Sequence, residues 1–288
     1  MSRHFRSCQS GFTLVEAIIV IVITGILAGM VAVFITSPVQ GYVDSVRRAE
    51  LTDAADVALR RITRDVRLAL PNSLRRITVA GGDGFEFIIT KSGGRYRDPA
   101  DGSTGGNFLD FTGSLTNPCG SNCFDVLGPL PEMEGGDRIV IYNLGEGYAP
   151  ADAYTGQNVA TIDGVGAVTT NPVNLTANPF ASQSPPLPSP NSRFQVVDRD
   201  DLVVRYTCTG SVLTRYAGCS LATPSVCGAT GAILAGSSDG RPRAECLVEY
   251  APTATGRNGL LYIELTLTDI PSDEKVTLFQ QIHVDNSP

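Results

Sequence analysis

Residues 12–35, FTLVEAIIVIVITGILAGMVAVFI, contain one charged side chain, that of Glu16. As an α-helix this stretch measures about 36 Å at 1.5 Å per residue, which is enough to cross the hydrocarbon core of a bilayer. A short basic segment, MSRHFRSCQSG, precedes it at residues 1–11. Basic residues typically flank a membrane helix on its cytoplasmic side. The N-terminus therefore predicts a single membrane-spanning helix.

Glu16 separates the possible kinds of membrane segment. A secretory signal has an apolar core of about 7–15 residues, shorter than this one. A plain signal anchor fits the length and the basic flank but does not explain a carboxylate in hydrocarbon, which costs about 2.5–3.5 kcal/mol and usually has a partner. Proteolysis between Gly11 and Phe12 would create an α-amine four residues before Glu16. We expect the Glu16 carboxylate of one subunit to pair with the Phe12 amine of a neighbour and to set the axial register between them.

At these residues the chain resembles a known family. GFTLVEAIIVIVITGILA (11–28) is similar to the class III leader and N-terminal helix of type IV pilins and type II secretion pseudopilins, with Gly11 before the cut, Phe12 after it and Glu16 at the fifth mature position. The resemblance implies cleavage by a prepilin peptidase and N-methylation of Phe12. It also implies other major and minor pilins as partners, and indirectly an inner-membrane platform protein and an assembly ATPase.

The same resemblance gives a location and a flexible region. It implies a bacterial inner-membrane protein with one span and a periplasmic C-terminal domain, which later joins a pilus or pseudopilus at the cell surface. In the family the helix can extend or melt when the subunit leaves the bilayer, and Gly25, Gly29 and Pro38 are the expected points here. Pro38 removes a backbone hydrogen bond, so we expect it to kink or break the helix. Gly25 and Gly29 either permit close helix contact or reflect the general frequency of glycine in membrane helices.

A second, amphipathic helix is expected at residues 38–71, ended by Pro71. Its apolar residues recur at spacings of three and four and include Val39, Val43, Val46, Ala55, Leu59, Ile62, Val66 and Leu70. Opposite charges four apart, including Asp56–Arg60 and Arg61–Asp65, are assigned to its outer face. The arginines of this face either contact neighbouring subunits or anionic headgroups, or belong to a solvated surface.

The remaining chain, residues 72–288, predicts a β-rich domain. RRITVA (75–80) and GFEFIIT (84–90) form a predicted hairpin, and LLYIELTLTD (260–269) with VTLFQQIHV (276–284) form another. Further strand candidates are DRIVIYNL, FQVVD, DLVVRYTC, SVLTRY and ECLVEY. Residues 92–136 and 145–192 are expected to be long loops. The expected organisation is therefore leader 1–11, assembly helix 12–37, amphipathic helix 38–71 and β domain 72–288.

One long helix followed by antiparallel strands is an α+β arrangement that resembles the pilin fold, with the helix packed on the sheet. The long insertion and the chain length resemble the larger minor subunits, such as J-type pseudopilins. Residues 41–73 look like the O-type minor pilins of mannose-sensitive haemagglutinin (MSHA) pili.

The chain has seven cysteines, and cleavage after Gly11 would remove Cys8 and leave an even six. An even count suits disulfides in an oxidising compartment. Proximity along the chain favours Cys119–Cys123, Cys208–Cys219 and Cys227–Cys246, although six cysteines allow 15 connectivities.

Catalysis and cofactors are poorly supported by the sequence. His283 is the only histidine after the predicted cleavage point, and an edge-strand or surface position is favoured over a catalytic one. Histidine scarcity argues against a metal site at Cys119–Cys123, and Asp198, Asp200 and Asp201 fit a solvated turn better than a calcium loop. The net charge of −7 argues against a nucleic-acid-binding surface. We expect no enzyme activity and no cofactor.

Three functions compete at this level. The first is a minor pilin that initiates or caps a type IV, MSHA-like pilus, or a minor pseudopilin of type II secretion. The second is a tip adhesin whose residues 92–136 and 145–192 contact a surface or glycan. The third, a tethered periplasmic enzyme, would not require Glu16.

Overall fold

The computed structural model describes residues 11–99, 102, 105–228, 230–237, 239, 242–252 and 258–288, without the side chains of residues 36, 37 and 252. The expected leader at 1–11 lies outside these residues, apart from Gly11. The chain divides into two compact units, Met1–Glu50 and Leu51–Pro288.

One helix, α1 (Leu14–Val66), occupies the N-terminal part of the described chain. Pro38 lies inside it, so the helix does not break there and 37/38 is not a helix boundary, whereas the expected kink stays a prediction. Proline removes one backbone hydrogen bond, and the uninterrupted bonding on either side keeps the residues helical. Gly25 and Gly29 are helical as well, and the predicted extension at these points stays a prediction.

The end of α1 lies earlier than expected. The helix stops at Val66 rather than near Leu70. The N–H groups of Leu68 and Ala69 donate to the carbonyls of Asp65 and Val66 in a tight turn, and the N–H of Leu70 then donates to the carbonyl of Ile88 at 2.7 Å. Competition from a strand for these backbone groups ends the helix before Pro71 does.

The described residues after α1 contain fifteen strands. In chain order they are β1 (Arg75–Val79), β2 (Gly82–Ile88), β3 (Ser92–Tyr96), β4 (Cys123–Phe124), β5 (Val126–Leu127), β6 (Arg138–Val140), β7 (Val159–Thr161), β8 (Val173–Asn174), β9 (Arg193–Val197), β10 (Val203–Thr209), β11 (Val212–Cys219), β12 (Ala232–Gly236), β13 (Arg243–Pro252), β14 (Asn258–Asp269) and β15 (Glu274–Asp285).

These strands form antiparallel sheets. The first sheet has the order β1-β2-β10-β11-β12, and the C-terminal sheet has the order β13-β14-β15. A third, the insertion sheet, has the order β5-β3-β9-β6-β7, and β4 pairs with β8. The predicted β1–β2 and β14–β15 hairpins are confirmed.

The main core lies between α1 and the first and C-terminal sheets. The buried helix residues are Leu51, Ala55, Ala58, Leu59, Ile62 and Val66. They share one cluster with Phe85 and Tyr206 of the first sheet and with Ile263 and Ile282 of the C-terminal sheet. The predicted α+β class, a long N-terminal helix followed by an antiparallel β domain, is confirmed.

A second core contradicts the expectation of irregular loops. The segments 92–136 and 145–192 contribute most of a buried cluster that the insertion sheet organises. Its members are Tyr96, Leu109, Phe111, Phe124, Val126, Met133, Ile139, Ile141, Ala160, Ile162, Val173, Leu175, Phe180, Phe194 and Val196. The insertion at 92–197 is thus a folded body with its own apolar interior.

The two ends of this insertion lie side by side. Ile88 at the end of β2 pairs with Val203 of β10, and Ser92 at the start of β3 pairs with Val196 of β9. Between these pairs, the N–H of Lys91 donates to the carbonyl of Val196 at 2.8 Å. The insertion therefore leaves and re-enters the first sheet at one place.

A cation and an aromatic ring attach the insertion to the first sheet. The guanidinium carbon of Arg75 on β1 lies 3.8 Å from the ring centroid of Tyr154. The same guanidinium bonds Glu86 at 2.7 Å and Glu146 at 3.0 Å. The Tyr154 hydroxyl donates to the carbonyl of Ser73 at 2.8 Å. Residues from both bodies therefore satisfy one another's polar groups at the junction.

All six cysteines in the described range are paired. Cys119 is joined to Cys123, the pair expected from the sequence. The other two expected pairs are wrong, because the structure joins Cys208 to Cys246 and Cys219 to Cys227.

Strand register explains the difference. In the β10–β11 hairpin Cys208 lies opposite Leu213, near the turn, whereas Cys219 lies opposite Val203 at the far end. About five residues at 3.3 Å each separate them, too far for a disulfide. Cys208 instead reaches Cys246 of β13 and links the first sheet to the C-terminal sheet.

Candidate assembly site at the N-terminal helix

The start of α1 is fixed by a side-chain cap. The Oγ1 of Thr13 accepts the backbone N–H of Glu16 at 3.3 Å, and the Thr13 carbonyl accepts the N–H of Ala17 at 3.1 Å. Thr-x-x-Glu is the spacing of a capping box. Sequence reasoning missed this role of Thr13, although that spacing was its signal. A chain cut after Gly11 would begin with Phe12, immediately before the cap.

Glu16 lies in the first turn of α1 and is exposed. Within the described residues no cationic group lies within 4.0 Å of its carboxylate. The helix dipole favours an anion in the first turn by about 0.3–1 kcal/mol, less than the cost of about 2.5–3.5 kcal/mol for a carboxylate in hydrocarbon. A cation from another molecule would offset the rest of the cost of placing this carboxylate in hydrocarbon. The predicted pair with the Phe12 amine of a neighbour would supply such a cation. That pair stays a prediction.

The surface around Glu16 is apolar on every side of the helix. Phe12, Leu14 and Ile21 are 76%, 77% and 70% exposed, and the smaller values for Val20 and Ile19 are still 50% and 51%. A helix that is apolar all round requires an apolar environment, either lipid or a bundle of helices. By length and composition, α1 is able to cross a membrane.

Gly25 and Gly29 provide a place for close approach. They are four residues apart and therefore share one face of α1. A Cβ added at either position would meet nothing within 4 Å among the described residues. No packing within that part of the chain requires glycine at these positions, so both interpretations of the sequence stay open.

Residues 6–32 match the family model described as the prokaryotic N-terminal methylation motif. The chain carries a type IV prepilin-like N-terminus. The motif supports a pilin- or pseudopilin-like protein and implies processing by prepilin peptidase and pilin partners. Together with the apolar helix it is consistent with membrane anchoring. No curated protein and no solved structure matches the chain.

A buried carboxylate attaches the C-terminal part of α1 to the first sheet, and here the sequence assignment was wrong. The charge spacing predicts Asp65 on the outer face of the helix with Arg61, but Asp65 is 3% exposed. Its Oδ2 accepts from the Nε of Arg215 at 2.7 Å and from the hydroxyl of Tyr206 at 2.9 Å. Arg61 also pairs with it, at 3.2 Å. Asp65 is three residues after Ile62 and beside Val66, so it occupies a position of the apolar stripe, which was the signal.

The electrostatics around Asp65 are those of a stable ion pair. Burial lowers the pKa of Arg215, but the hydrogen bond and the charge of Asp65 outweigh this, so the pKa is raised. Burial, together with the neighbouring Asp65 carboxylate, raises the pKa of Tyr206. Arg215 therefore stays charged and Tyr206 stays a neutral donor.

The other sequence candidates lie apart from this helix. His283 is exposed on β15, the edge-strand position expected. The carboxylate of Asp198 lies 3.5 Å from the ammonium of Lys91, and its other oxygen accepts the N–H of Asp200 in a turn. The same ammonium also lies within 4.0 Å of the carboxylates of Glu132, Glu134 and Asp137, so four carboxylates share this cation.

Proposed function

We propose that this protein is a minor pilin, which initiates or caps assembly of a type IV, MSHA-like pilus. The proposal rests on the prepilin-type motif at 6–32. Within it, Glu16 is exposed, is the one charged side chain of residues 12–35, and has no cationic partner among the described residues. Such a helix is stable in a membrane and then in a bundle of like helices, where a neighbour supplies the missing cation.

The size of the second unit supports a minor rather than a major subunit. The second unit spans Leu51–Pro288 and contains a second core in the insertion at 92–197. A body of this bulk is hard to accommodate in every layer of a thin filament, whereas a terminal position tolerates it. The O-type resemblance of residues 41–73 supports an MSHA-like pilus, and a pseudopilin of type II secretion shares the same N-terminal motif.

The proposal includes partners, location and chemistry. The prepilin is inserted once in the inner membrane with its C-terminal domain in the periplasm. It is cut after Gly11, methylated at Phe12 and moved to the cell surface by a platform protein and an assembly ATPase. It acts by binding other pilins and has no catalytic step or cofactor.

The test compares Glu16→Gln with Asp56→Asn, which also neutralises one carboxylate on α1, half-exposed in this case. Both variants should accumulate in the membrane, and mass spectrometry should find both beginning at methylated Phe12. Only Glu16→Gln should reduce pilus number, because only Glu16 is predicted to pair with a neighbouring N-terminus. Normal piliation by Glu16→Gln, or a mature protein that begins elsewhere, contradicts the proposal.

The second core favours an additional role as a tip adhesin. Loops without their own interior would serve only as connections, but this insertion buries its own apolar cluster and exposes Tyr148 by 64% and Val165 by 95%. Replacement of residues 92–197 by a short turn should leave piliation intact and weaken adhesion. Loss of pili in this variant would assign the insertion to assembly instead.

A further inference from the structure

The last strand of the C-terminal sheet has a free edge. In the order β13-β14-β15, β13 lies against the first sheet and is joined to β10 by the Cys208–Cys246 disulfide, so β15 is the open side. The twelve residues of β15 pair one-to-one with β14, without a bulge and without proline. Native proteins usually protect such an edge with proline, bulges or charges. Here the stretch 276–284 contains no lysine, arginine or carboxylate.

Half of the backbone groups of β15 are available for bonding. Only alternate residues of an edge strand exchange hydrogen bonds with the neighbouring strand. Across the part of the chain that the structure describes, residues 275–284 make no backbone–backbone hydrogen bond outside the C-terminal sheet. The outward N–H and C=O groups therefore form a row that an added strand could satisfy.

A basic groove runs beside this edge. It has a volume of about 480 Å³, lies between the end of α1 and β15, and is lined by Asp56, Arg60, Thr63, Arg64, Arg67, Leu68 and Gln280. Asp56 neutralises Arg60 at 2.7 Å. Arg64 and Arg67 are exposed, and no carboxylate of the described residues lies within 4.0 Å of either. Two unpaired guanidinium groups therefore face an incoming segment.

Apolar surface borders the edge as well. Leu68, in the groove, is 46% exposed. On the opposite face of β15, Phe279 is 66% exposed and stacks on Tyr262 with ring centroids 6.2 Å apart. Side chains of an added strand would alternate between these two faces. One set would lie over the arginines and the other against the aromatic pair.

We propose that β15 binds an extended segment of a partner protein as a fourth strand, with alternating acidic and apolar residues. Its carboxylates bond Arg64 and Arg67, and its apolar side chains pack on Phe279. Main-chain hydrogen bonds supply affinity in this mode of recognition, and the alternate side chains supply specificity. The site lies in the second unit and uses neither Phe12 nor Glu16, so it goes beyond the assembly role and does not depend on it.

The direct test measures binding of a labelled seven-residue peptide of alternating Glu and Val to the full-length protein in detergent micelles, by fluorescence anisotropy. In a strand, alternate residues direct their N–H groups to the same edge. N-methylation of the Glu residues therefore blocks one edge, and N-methylation of the Val residues blocks the other. One methylated peptide should lose affinity by about tenfold or more and the other should bind as the parent does. Equal behaviour of the two, or no binding of the parent peptide at about 1 mM, overturns the proposal.

Charge reversal tests the groove. The double variant Arg64→Glu, Arg67→Glu should weaken binding of the Glu/Val peptide by about tenfold or more and favour a Lys/Val peptide, because the groove becomes acidic. Arg193→Glu, which reverses an exposed arginine on β9, is the matched control and should bind as the wild type does. Unchanged thermal melting of the variants shows that they are folded. An equal loss of peptide affinity in the control and in the groove variant would contradict the assignment of the carboxylate contacts to Arg64 and Arg67.

Discussion

Replacement of Asp65 by Asn should destabilise the second unit by about 3 kcal/mol. The carboxylate is 3% exposed, and its ion-pair partner Arg215 has a side chain that is 13% exposed. Removing one member of a buried ion pair costs about 3–5 kcal/mol, because the other charge stays behind without its counter-ion. We take the lower end, since the side chain of Arg61, the second cation, is 41% exposed and can turn to water.

The chain contains no tryptophan, so unfolding in urea is best followed by circular dichroism of the detergent-solubilised protein. With a urea dependence of about 2–3 kcal/mol/M, a loss of 3 kcal/mol lowers the midpoint by about 1–1.5 M. Asp56→Asn is the matched control. It breaks an ion pair of the same 2.7 Å length on the same helix, but the side chain of Arg60 is 79% exposed, and such pairs contribute about 0–1 kcal/mol. A similar midpoint for the two variants would refute the claim that burial makes Asp65 different.

Two further predictions concern the disulfides and acid stability. The loop closed by Cys208–Cys246 spans 38 positions and that closed by Cys219–Cys227 spans 8. Chain entropy therefore predicts that the free energy of unfolding falls by about 4 kcal/mol when Cys208 and Cys246 are both replaced by Ser, and by about 2.5 kcal/mol when Cys219 and Cys227 are. The first variant should melt at the lower temperature, and the opposite order would contradict this. Burial raises the pKa of Asp110, but bonds from the N–H groups of residues 112, 115 and 113 outweigh this and lower it. The stability that Asp110 contributes is thus present above the ordinary aspartate pKa of about 3.9 and lost below it. At neutral pH, Asp110→Asn should have a lower melting temperature than the wild type, and the gap between the two melting temperatures should narrow below about pH 4. A gap that stays constant across this range would exclude stabilisation by the ionised carboxylate.

The sequence predicts the parts of the fold that depend on local periodicity. Alternation in LLYIELTLTD and the spacing of Ala55, Leu59, Ile62 and Val66 both report burial directly, and both elements are present. The end of α1 could not be read in the same way. It depends on the bond from Leu70 to Ile88, which belongs to a strand farther along the chain.

The insertion shows why the remainder was missed. Its strands are as short as two residues, such as Cys123–Phe124 and Val173–Asn174, and periodicity has no meaning at that length. Its interior is assembled from single buried residues, such as Phe180 in a four-residue 3₁₀ helix, spread through turns rich in glycine and proline. Likewise, the pairing of Cys208 depends on register rather than on distance along the chain.

At the candidate assembly site, the sequence identifies the charged residue and the cleavage point, and the structure adds the geometry of the helix start. Glu16 was identified as the one acid in an apolar run, and Gly11 and Phe12 from the resemblance to type IV prepilins; the matched motif at 6–32 includes all three. The cap at Thr13 was overlooked because the Thr13–Glu16 spacing lies within the prepilin motif, which already accounted for Glu16. Asp65 was misassigned because a charged residue within an apolar stripe was read as surface.

The neighbouring ends of residues 92–197 have an evolutionary consequence. Since Ile88 already faces Val203 and Ser92 already faces Val196, a gene could lose this body, or acquire another in its place, by one recombination event at a single junction. The ladder of the host sheet would keep its register through such an exchange. Descendants could then diverge in the surface that this body presents while they retain the same N-terminal helix and the same supporting sheets.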